Sequence, residues 1–319
     1  MHKVIISNSF VTMAENVPTH TVEAEYGDNC VYGTKLTLAH HGSRSESPCP
    51  CLGDNIKDQA EGIIIGISHI DMDTLGGIYR ILGLKSPDLQ PNDVETMFWN
   101  MVAKIDILGY HKLDEIREQM WLELEYPDTI GSALEFFNER WGYLLEILHG
   151  MYAWFGKNEI TIPEDGSIHD CTFHINEGCR VLDVLGLGDL KNDEFKRLNQ
   201  DGIAWKKDQD DLNAKTLVED IPGIIAFRVS DKFVNHMYIS PTGTPYLGVV
   251  GFDNQVGSIT ISLMDPIEGV DCCQIMQQFY GPHAGGHKGI AGSPRNLKVT
   301  QDEGFKMFKI FGNIIKQNI

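Results

Sequence analysis

The stretch GIIIGISHIDMDTLGG, residues 62–77, joins three signals in one short segment. Ile63, Ile64, Ile65 and Ile67 form an apolar, β-branched run that predicts a buried strand. His69-x-Asp71-x-Asp73 follows at once, and Thr74-Leu75-Gly76-Gly77 leads into a helix-like segment. Side chains at the carboxyl end of a buried strand sit where open α/β sheets place their active sites. One imidazole and two carboxylates suit Mn²⁺, Mg²⁺, Fe²⁺ or Zn²⁺ better than a soft metal. The alternative is a strand end with two solvated aspartates and a chance histidine.

Working outward, 319 residues exceed one ordinary domain and predict two. A hydrophobic content of 42% with 22% charged residues is globular in character. No apolar run approaches the roughly 18 residues of a membrane span. The segment MHKVIISNSF lacks the apolar core and cleavage site of a signal peptide. Seven cysteines form no evident disulfide framework, so a reducing cytoplasm is expected. The net charge of −19 argues against a protein that coats duplex nucleic acid, which needs a basic surface. An acidic chain can still bind a small anion through metal ions and a few local cations. The expected partner is therefore a small phosphorylated substrate or a short oligonucleotide, with no duplex and no membrane. A homodimer is the commonest assembly on general grounds.

Short β-like runs, VIISNSFV and KLTL, occupy the first 45 residues, and KLTL ends in Ala39-His40-His41. The irregular stretch GSRSESPCPCLGDN precedes the Ile-rich strand. Apolar residues at 94, 97, 98, 101, 102 and 105 make a helical stripe, with Asn92 or Asp93 as N-cap and Asp106 where the stripe runs out. A second helix is predicted from Ser132, with Glu135 completing a capping box. Residues 157–220 read as connector helices, and a domain boundary is expected at Ile221-Pro222-Gly223. Beyond it come the strands GIIAFRVS, LGVVGF and GSITISL, the last two as a hairpin. A short helix (DCCQIMQQF), a glycine-rich segment and a final amphipathic helix complete the chain.

Two constellations carry chemistry. The first gathers His69, Asp71 and Asp73 with His40, His41 and Asp106, the residue types of a binuclear hydrolytic site. The second is Gly285-Gly286-His287-Lys288-Gly289-Ile290-Ala291-Gly292, followed by Arg295. Its glycines would let backbone N–H groups approach an anion, and His287, Lys288 and Arg295 add side-chain donors. A surface loop is the alternative. Cys49-Pro50-Cys51 has no second Cys or His pair at zinc-finger spacing and reads as incidental or buried. His149 reads as a hydrogen-bonded core histidine, and His111 as a neighbour of the site or an exposed residue. Asn235 and His236 are weaker candidates for lining the cleft.

His69-x-Asp71-x-Asp73 resembles the first motif of the DHH (Asp-His-His) phosphoesterase family. Ala39-His40-His41 resembles that family's naming motif, with alanine in place of the aspartate. Gly285-Gly286-His287-x-Gly289-x-Ala291-Gly292 is similar to the signature of the DHH-associated C-terminal domain. Together these cover nearly the whole chain. The order departs from the family, because here the His pair precedes the His-x-Asp-x-Asp motif. The resemblance implies an α/β chain with a mostly parallel-sheet catalytic domain (1–220) and a smaller α+β substrate domain (221–319) facing it across a cleft. It implies two divalent ions, Mn²⁺ first among Mn, Mg, Co, Fe and Zn, on His40, His69, Asp71, Asp73 and Asp106. His41, Asp73 and Arg295 would be catalytic. Gly285, Gly286, His287, Lys288 and Arg295 would bind substrate. One further family aspartate has Asp28 and Asp54 as candidates.

The implied activity is hydrolysis of a small phosphoester: a short oligonucleotide, a cyclic dinucleotide or a nucleotide. A degenerate, nucleotide-sensing member is the alternative. Ser68-His69-x-Asp71-x-Asp73-Thr74-x-Gly76-Gly77 also resembles the metallo-β-lactamase motif, with Asp71 and Thr74 replacing two zinc-binding histidines.

Overall fold

The computed structural model describes residues 2–27, 29–41, 44, 46–56, 62–124, 130–187, 192–294 and 297–319. The chain combines helices and sheets and divides into two compact units, Met1–Lys207 and Asp208–Ile319.

In the first unit β1 (His2–Ile6), α1 (Phe10–Glu15) and β2 (His20–Val22) are followed by the small ribbon β3 (Glu25–Tyr26) and β4 (Asn29–Cys30). Then come β5 (Leu36–Leu38), β6 (Ile63–Ile67), α2 (Met72–Ile81), α3 (Val94–Leu108) and a 3₁₀ turn at Tyr110–Lys112. The helices α4 (Leu113–Glu123) and α5 (Ile130–Lys157), strand β7 (His169–Asp170), and helices α6 (Thr172–Leu187) and α7 (Asp193–Thr216) complete this part of the chain. The sheet order is β5-β2-β6-β1-β7. Strands β1, β2, β5 and β6 run parallel, and only β7 is antiparallel. Strand β6 lies at the centre, and Ile63, Ile65 and Ile67 are buried there, as a continuous β-branched run in a parallel sheet requires.

Helix α2 is buried on almost every side. A Cβ at Gly76 would lie 2.4 Å from Cys51 Cβ and 2.6 Å from the Trp99 ring. One at Gly77 would lie 2.6 Å from Val22. The glycine pair therefore lets α2 approach both its neighbours, which fixes where the helix starts relative to the sheet edge. On α3 the predicted stripe is the buried face: Met97, Phe98, Met101, Val102 and Ile105. Asp93 is its N-cap residue, but the side chain accepts from Gln90 N instead of capping. Asp106 falls inside the last turn of α3, not beyond it, and α5 begins at Ile130, two residues before Ser132.

The second unit holds β8 (Leu217–Ile221), β9 (Ile225–Ser230), β10 (Gly248–Asp253), β11 (Ser258–Leu263), α8 (Cys272–Tyr280), β12 (Gly285–Gly286), β13 (Ile290–Gly292) and α9 (Gln301–Gln317). Its sheet order is β12-β13-β11-β10-β9-β8. The predicted β10–β11 hairpin is present in register from Gly248↔Leu263 to Asp253↔Ser258. Helix α9 opens on a capping box between Thr300 and Glu303 and buries Phe308, Phe311 and Ile315. The units divide within α7, whereas Ile221-Pro222-Gly223 forms the tight turn joining β8 to β9. Among the described residues no helix is long and apolar enough to cross a membrane.

Candidate metal centre

Parallel pairing brings the carboxyl ends of β2, β5 and β6 to one edge of the first unit's sheet. Glu23 follows β2, Ala39-His40-His41 follow β5, and Ser68-His69 follow β6. Helix α2 then carries Asp73 back to this edge, and α3 supplies Asp106 from its last turn.

His40 Nε2 lies 3.0 Å from Asp106 Oδ2, 3.3 Å from Asp73 Oδ2 and 3.9 Å from Glu23 Oε1. His41 Nε2 lies 2.9 Å from Glu23 Oε2. Cys49 Sγ stands 3.5 Å from His40 Nδ1. Glu23, His40, Cys49 and Asp73 are buried, and Asp106 is nearly so. Two donor groups result: His40, Cys49, Asp73 and Asp106, and Glu23, His40 and His41, with the donor atoms of each within 4.8 Å of one another.

The backbone holds these groups firmly. Glu23 adopts φ +48°, a left-handed conformation uncommon for a residue with a side chain. Its N–H donates to Leu38 O, and its carbonyl accepts from Ser68 Oγ. Strained backbone of this kind clusters at functional sites. Asp73 Oδ1 accepts from Cys51 N at 2.9 Å, which aims Oδ2 at His40.

The electrostatics follow from two buried carboxylates, Glu23 and Asp73, and the half-buried Asp106 sharing two imidazoles. Burial pushes the Glu23 carboxyl up, against the pull of His41 and His40. Burial alone would lower the His40 pKa, but Asp106, Asp73, Cys49 and Glu23 together raise it well above the ordinary histidine value. His41 follows the same pattern, with burial opposed by Glu23. A single Nε2–H thus faces three carboxylates and can donate to one. Asp73 Oδ2, Asp106 Oδ2 and both Glu23 oxygens are buried without a well-formed hydrogen bond. Buried polar groups are ordinarily satisfied, so these oxygens could accept a divalent cation. His40 can give Nε2 to one ion only; Glu23 and His41 are the described donors left for a second.

His69 and Asp71 lie outside both donor groups. His69 Nδ1 meets Ser68 Oγ at 2.9 Å, and Nε2 meets Asp71 Oδ2 at 3.1 Å. Asp71 is the N-cap of α2, its Oδ1 accepting from Thr74 N at 2.8 Å. Burial would raise its pKa, but His69 and the Thr74 N–H hold it well below the usual carboxylate range. Within His-x-Asp-x-Asp, then, the helix start sends Asp73 to the donor cluster and keeps Asp71 at the cap.

Glu23 and Cys49 are the site residues that sequence reasoning missed. Glu23 stands where a strand-end carboxylate was wanted. Asp28 lies outside the described residues, and Asp54 is exposed. His149 pairs with Tyr110, whose hydroxyl is 2.8 Å from its Nε2, and His111 lies in the 3₁₀ turn after Asp106.

In the second unit the glycine-rich segment is a hairpin between β12 and β13, with His287 and Lys288 exposed at its tip. Gly286 adopts φ +144°, and a Cβ there would lie 2.3 Å from Ile290 O. His287 N donates to Ile290 O at 2.6 Å, so this N–H is already committed within the hairpin. Arg295 lies outside the described residues. Asn235 is a buried bracket, donating to Thr260 O at 2.9 Å, while His236 stacks on Phe233.

No family model matches the sequence. No curated protein matches it either. Among solved structures, an uncharacterized protein from Helicobacter pylori G27 is similar at 13% identity and a TM-score of 0.21, over 89% of this chain and 76% of that one.

Proposed function

We propose that the chain is a cytoplasmic, divalent-metal-dependent phosphoesterase of the kind the DHH family represents, acting on a small phosphoester such as a short oligonucleotide, cyclic dinucleotide or nucleotide. The observation that carries the reading is the single His40 Nε2 set among Glu23, Asp73 and Asp106 with their buried oxygens unsatisfied. His40, Asp73 and Asp106 would hold one ion, and Glu23 and His41 would serve a second. When bound, such ions lower the pKa of a coordinated water towards neutrality. The protein's own part is to keep the carboxylates oriented. Ser68 and the left-handed backbone fix Glu23, Cys51 N–H fixes Asp73, and Glu23 in turn orients the His41 imidazole. The glycine-rich hairpin of the second unit, with His287 and Lys288 exposed at its tip, would by itself offer donors to a phosphate or sugar.

The test is product formation by metal-stripped protein with and without Mn²⁺, Zn²⁺ or Fe²⁺, on a panel of oligoribonucleotides, cyclic dinucleotides and nucleoside monophosphates. Metal-dependent release of a mononucleotide or phosphate is expected. No turnover of any member, with tight binding of one, would replace this reading with a nucleotide sensor. The separation of His69 and Asp71 from the donor cluster favours that second reading, since the first family motif then contributes only Asp73. A metallo-β-lactamase-like reading would need His69 and Asp71 as ligands, and they are paired with each other.

A further inference from the structure

We propose that Cys49 is a ligand of the metal centre, and that its thiolate makes the site one for zinc or ferrous iron in preference to manganese or magnesium. The inference rests on the metal-dependent reading above and specifies it. Cys49 Sγ shares a donor group with His40, Asp73 and Asp106, all four donor atoms lying within 4.8 Å of one another. In a tetrahedral shell with metal–ligand bonds of about 2.0–2.3 Å, neighbouring ligand atoms are separated by about 3.3–3.8 Å. The observed separations from His40 Nε2 are 3.0 Å to Asp106, 3.3 Å to Asp73 and 3.8 Å to Cys49. Sγ also lies 3.5 Å from Nδ1, so closing a shell of one nitrogen, one sulfur and two oxygens around a single ion requires the His40 ring and the Cys49 side chain to turn relative to each other.

A second observation concerns the loop that carries the thiol. Cys49-Pro50-Cys51 is irregular, yet its backbone is clamped from three sides. Arg80 Nη1 donates to Pro50 O at 2.6 Å, Lys85 Nζ donates to Cys51 O at 2.7 Å, and Cys51 N donates to Asp73 Oδ1 at 2.9 Å. The last bond ties the loop directly to another proposed ligand. Such outer contacts are the usual means of orienting ligands on a metal. Cys49 is itself only 2% exposed, and its thiol donates to the Ala103 carbonyl at 3.7 Å. The unsatisfied Asp73 Oδ2, on a residue also 2% exposed, points into the same space. Carboxylates and an imidazole alone would accept Mn²⁺ or Mg²⁺. A thiolate among them favours zinc and ferrous iron, which tolerate sulfur and a small coordination number. On binding, the thiol proton leaves to solvent and the sulfur lone pair forms the bond to the metal, with no change of oxidation state.

The experiment is titration of metal-stripped, full-length protein with Co²⁺, followed by absorption spectroscopy, and then competition with Zn²⁺ and Mn²⁺. The wild type is expected to show an intense near-ultraviolet sulfur-to-cobalt band. Cys49→Ser should lose that band while keeping weak visible cobalt transitions from the remaining ligands, and Cys49→Ala should behave alike. Cys171→Ser, a buried cysteine outside the donor groups, should retain it. In Cys49→Ser the Zn²⁺ affinity should fall by at least about tenfold and the Mn²⁺ affinity by less than about threefold. A wild-type cobalt complex without the band, or unchanged Zn²⁺ affinity in the folded Cys49 variants, overturns the thiolate ligand and leaves the phosphoesterase reading standing. A wild type that binds none of the three metals overturns both.

Discussion

Asp73→Asn separates a metal ligand from a structural carboxylate, because the two roles predict different effects with and without metal. Asparagine keeps Oδ1, so the bond from Cys51 N, now 2.9 Å, can survive. In the metal-free protein Asp73 attracts a protonated His40 across 3.3 Å and is repelled by Asp106 within 4.8 Å. At an effective dielectric constant near 20, each contact is worth roughly 4 kcal/mol with opposite sign, so neutralising Asp73 should change stability by only about 1–2 kcal/mol. With metal present the contributions no longer cancel. Free metal at about 1,000 times Kd stabilises by roughly 4 kcal/mol, a rise of about 8–16 °C in Tm for a unit of this size. Loss of a carboxylate ligand that weakens binding on the order of 100-fold leaves roughly 1.4 kcal/mol of that, or about 3–5 °C.

The assay is tryptophan fluorescence on heating, with and without Zn²⁺ at fixed free concentration. Trp99, Trp121, Trp141, Trp154 and Trp205 all lie in the first unit, so the signal reports that unit. A full wild-type metal shift in Asp73→Asn would refute the ligand assignment. A metal-free Tm more than about 8 °C below wild type would show instead that the carboxylate holds the fold together.

Three other outcomes are expected. Asp71→Ala removes the side-chain cap of α2 and should cost about 1 kcal/mol in denaturant unfolding, with metal stoichiometry by elemental analysis unchanged. Gly286→Ala places a Cβ against the Ile290 carbonyl and should loosen the β12–β13 hairpin by about 1–3 kcal/mol, read as faster amide exchange over 285–292 with the tryptophan transition unmoved. Lys85 is buried against the Cys51 and Gly53 carbonyls, and burial pushes its ammonium down from 10.5 to about 8. Below pH 8 folding therefore buries a charge. Between pH 8 and 10.5 the unfolded chain holds the proton that the folded one has released, so stability relative to Lys85→Met should rise with pH, by about 3 kcal/mol in full. A flat difference across that window would show the lysine to be unperturbed.

The parts legible in the sequence are those with a long, unambiguous period. Strand β6, the α3 stripe, the β10–β11 hairpin and α9 each repeat one spacing over several residues. Helix α4, with only Ile116 and Met120 buried, carries too faint a stripe to read. At the site, His40 and Asp73 were visible because each follows or opens a recognisable element. The division of labour between Asp71 and Asp73 was not, since it depends on where the first turn of α2 begins, and the two residues have the same side chain. Glu23 was hidden by a strand of only three residues, His20–Val22, which leaves no period to detect. Cys49 sits in an irregular stretch whose course is set by contacts from Asp73, Arg80 and Lys85, all distant in sequence.

The energetics of this cluster bear on why it exists. A buried ion-pair cluster is commonly no more stable than apolar side chains of similar volume in its place, and removing one partner leaves an uncompensated charge. The unit has ample apolar material for a core, from Ile65 and Ile67 to Leu75 and Trp99, so stability alone does not call for Glu23, Asp73 and Asp106. The positions of Glu23 and Asp73 are moreover held by contacts from outside the cluster. A left-handed residue and a Ser68 hydroxyl fix one carboxylate, and a backbone N–H in the Cys49–Cys51 loop fixes another. Holding negative groups together before a cation arrives means that the ordering cost is met by the fold and not by the binding step. On the metal-dependent reading proposed above, such preorganisation accounts for a strand end, a helix start and the last turn of another helix each bringing a carboxylate to one imidazole.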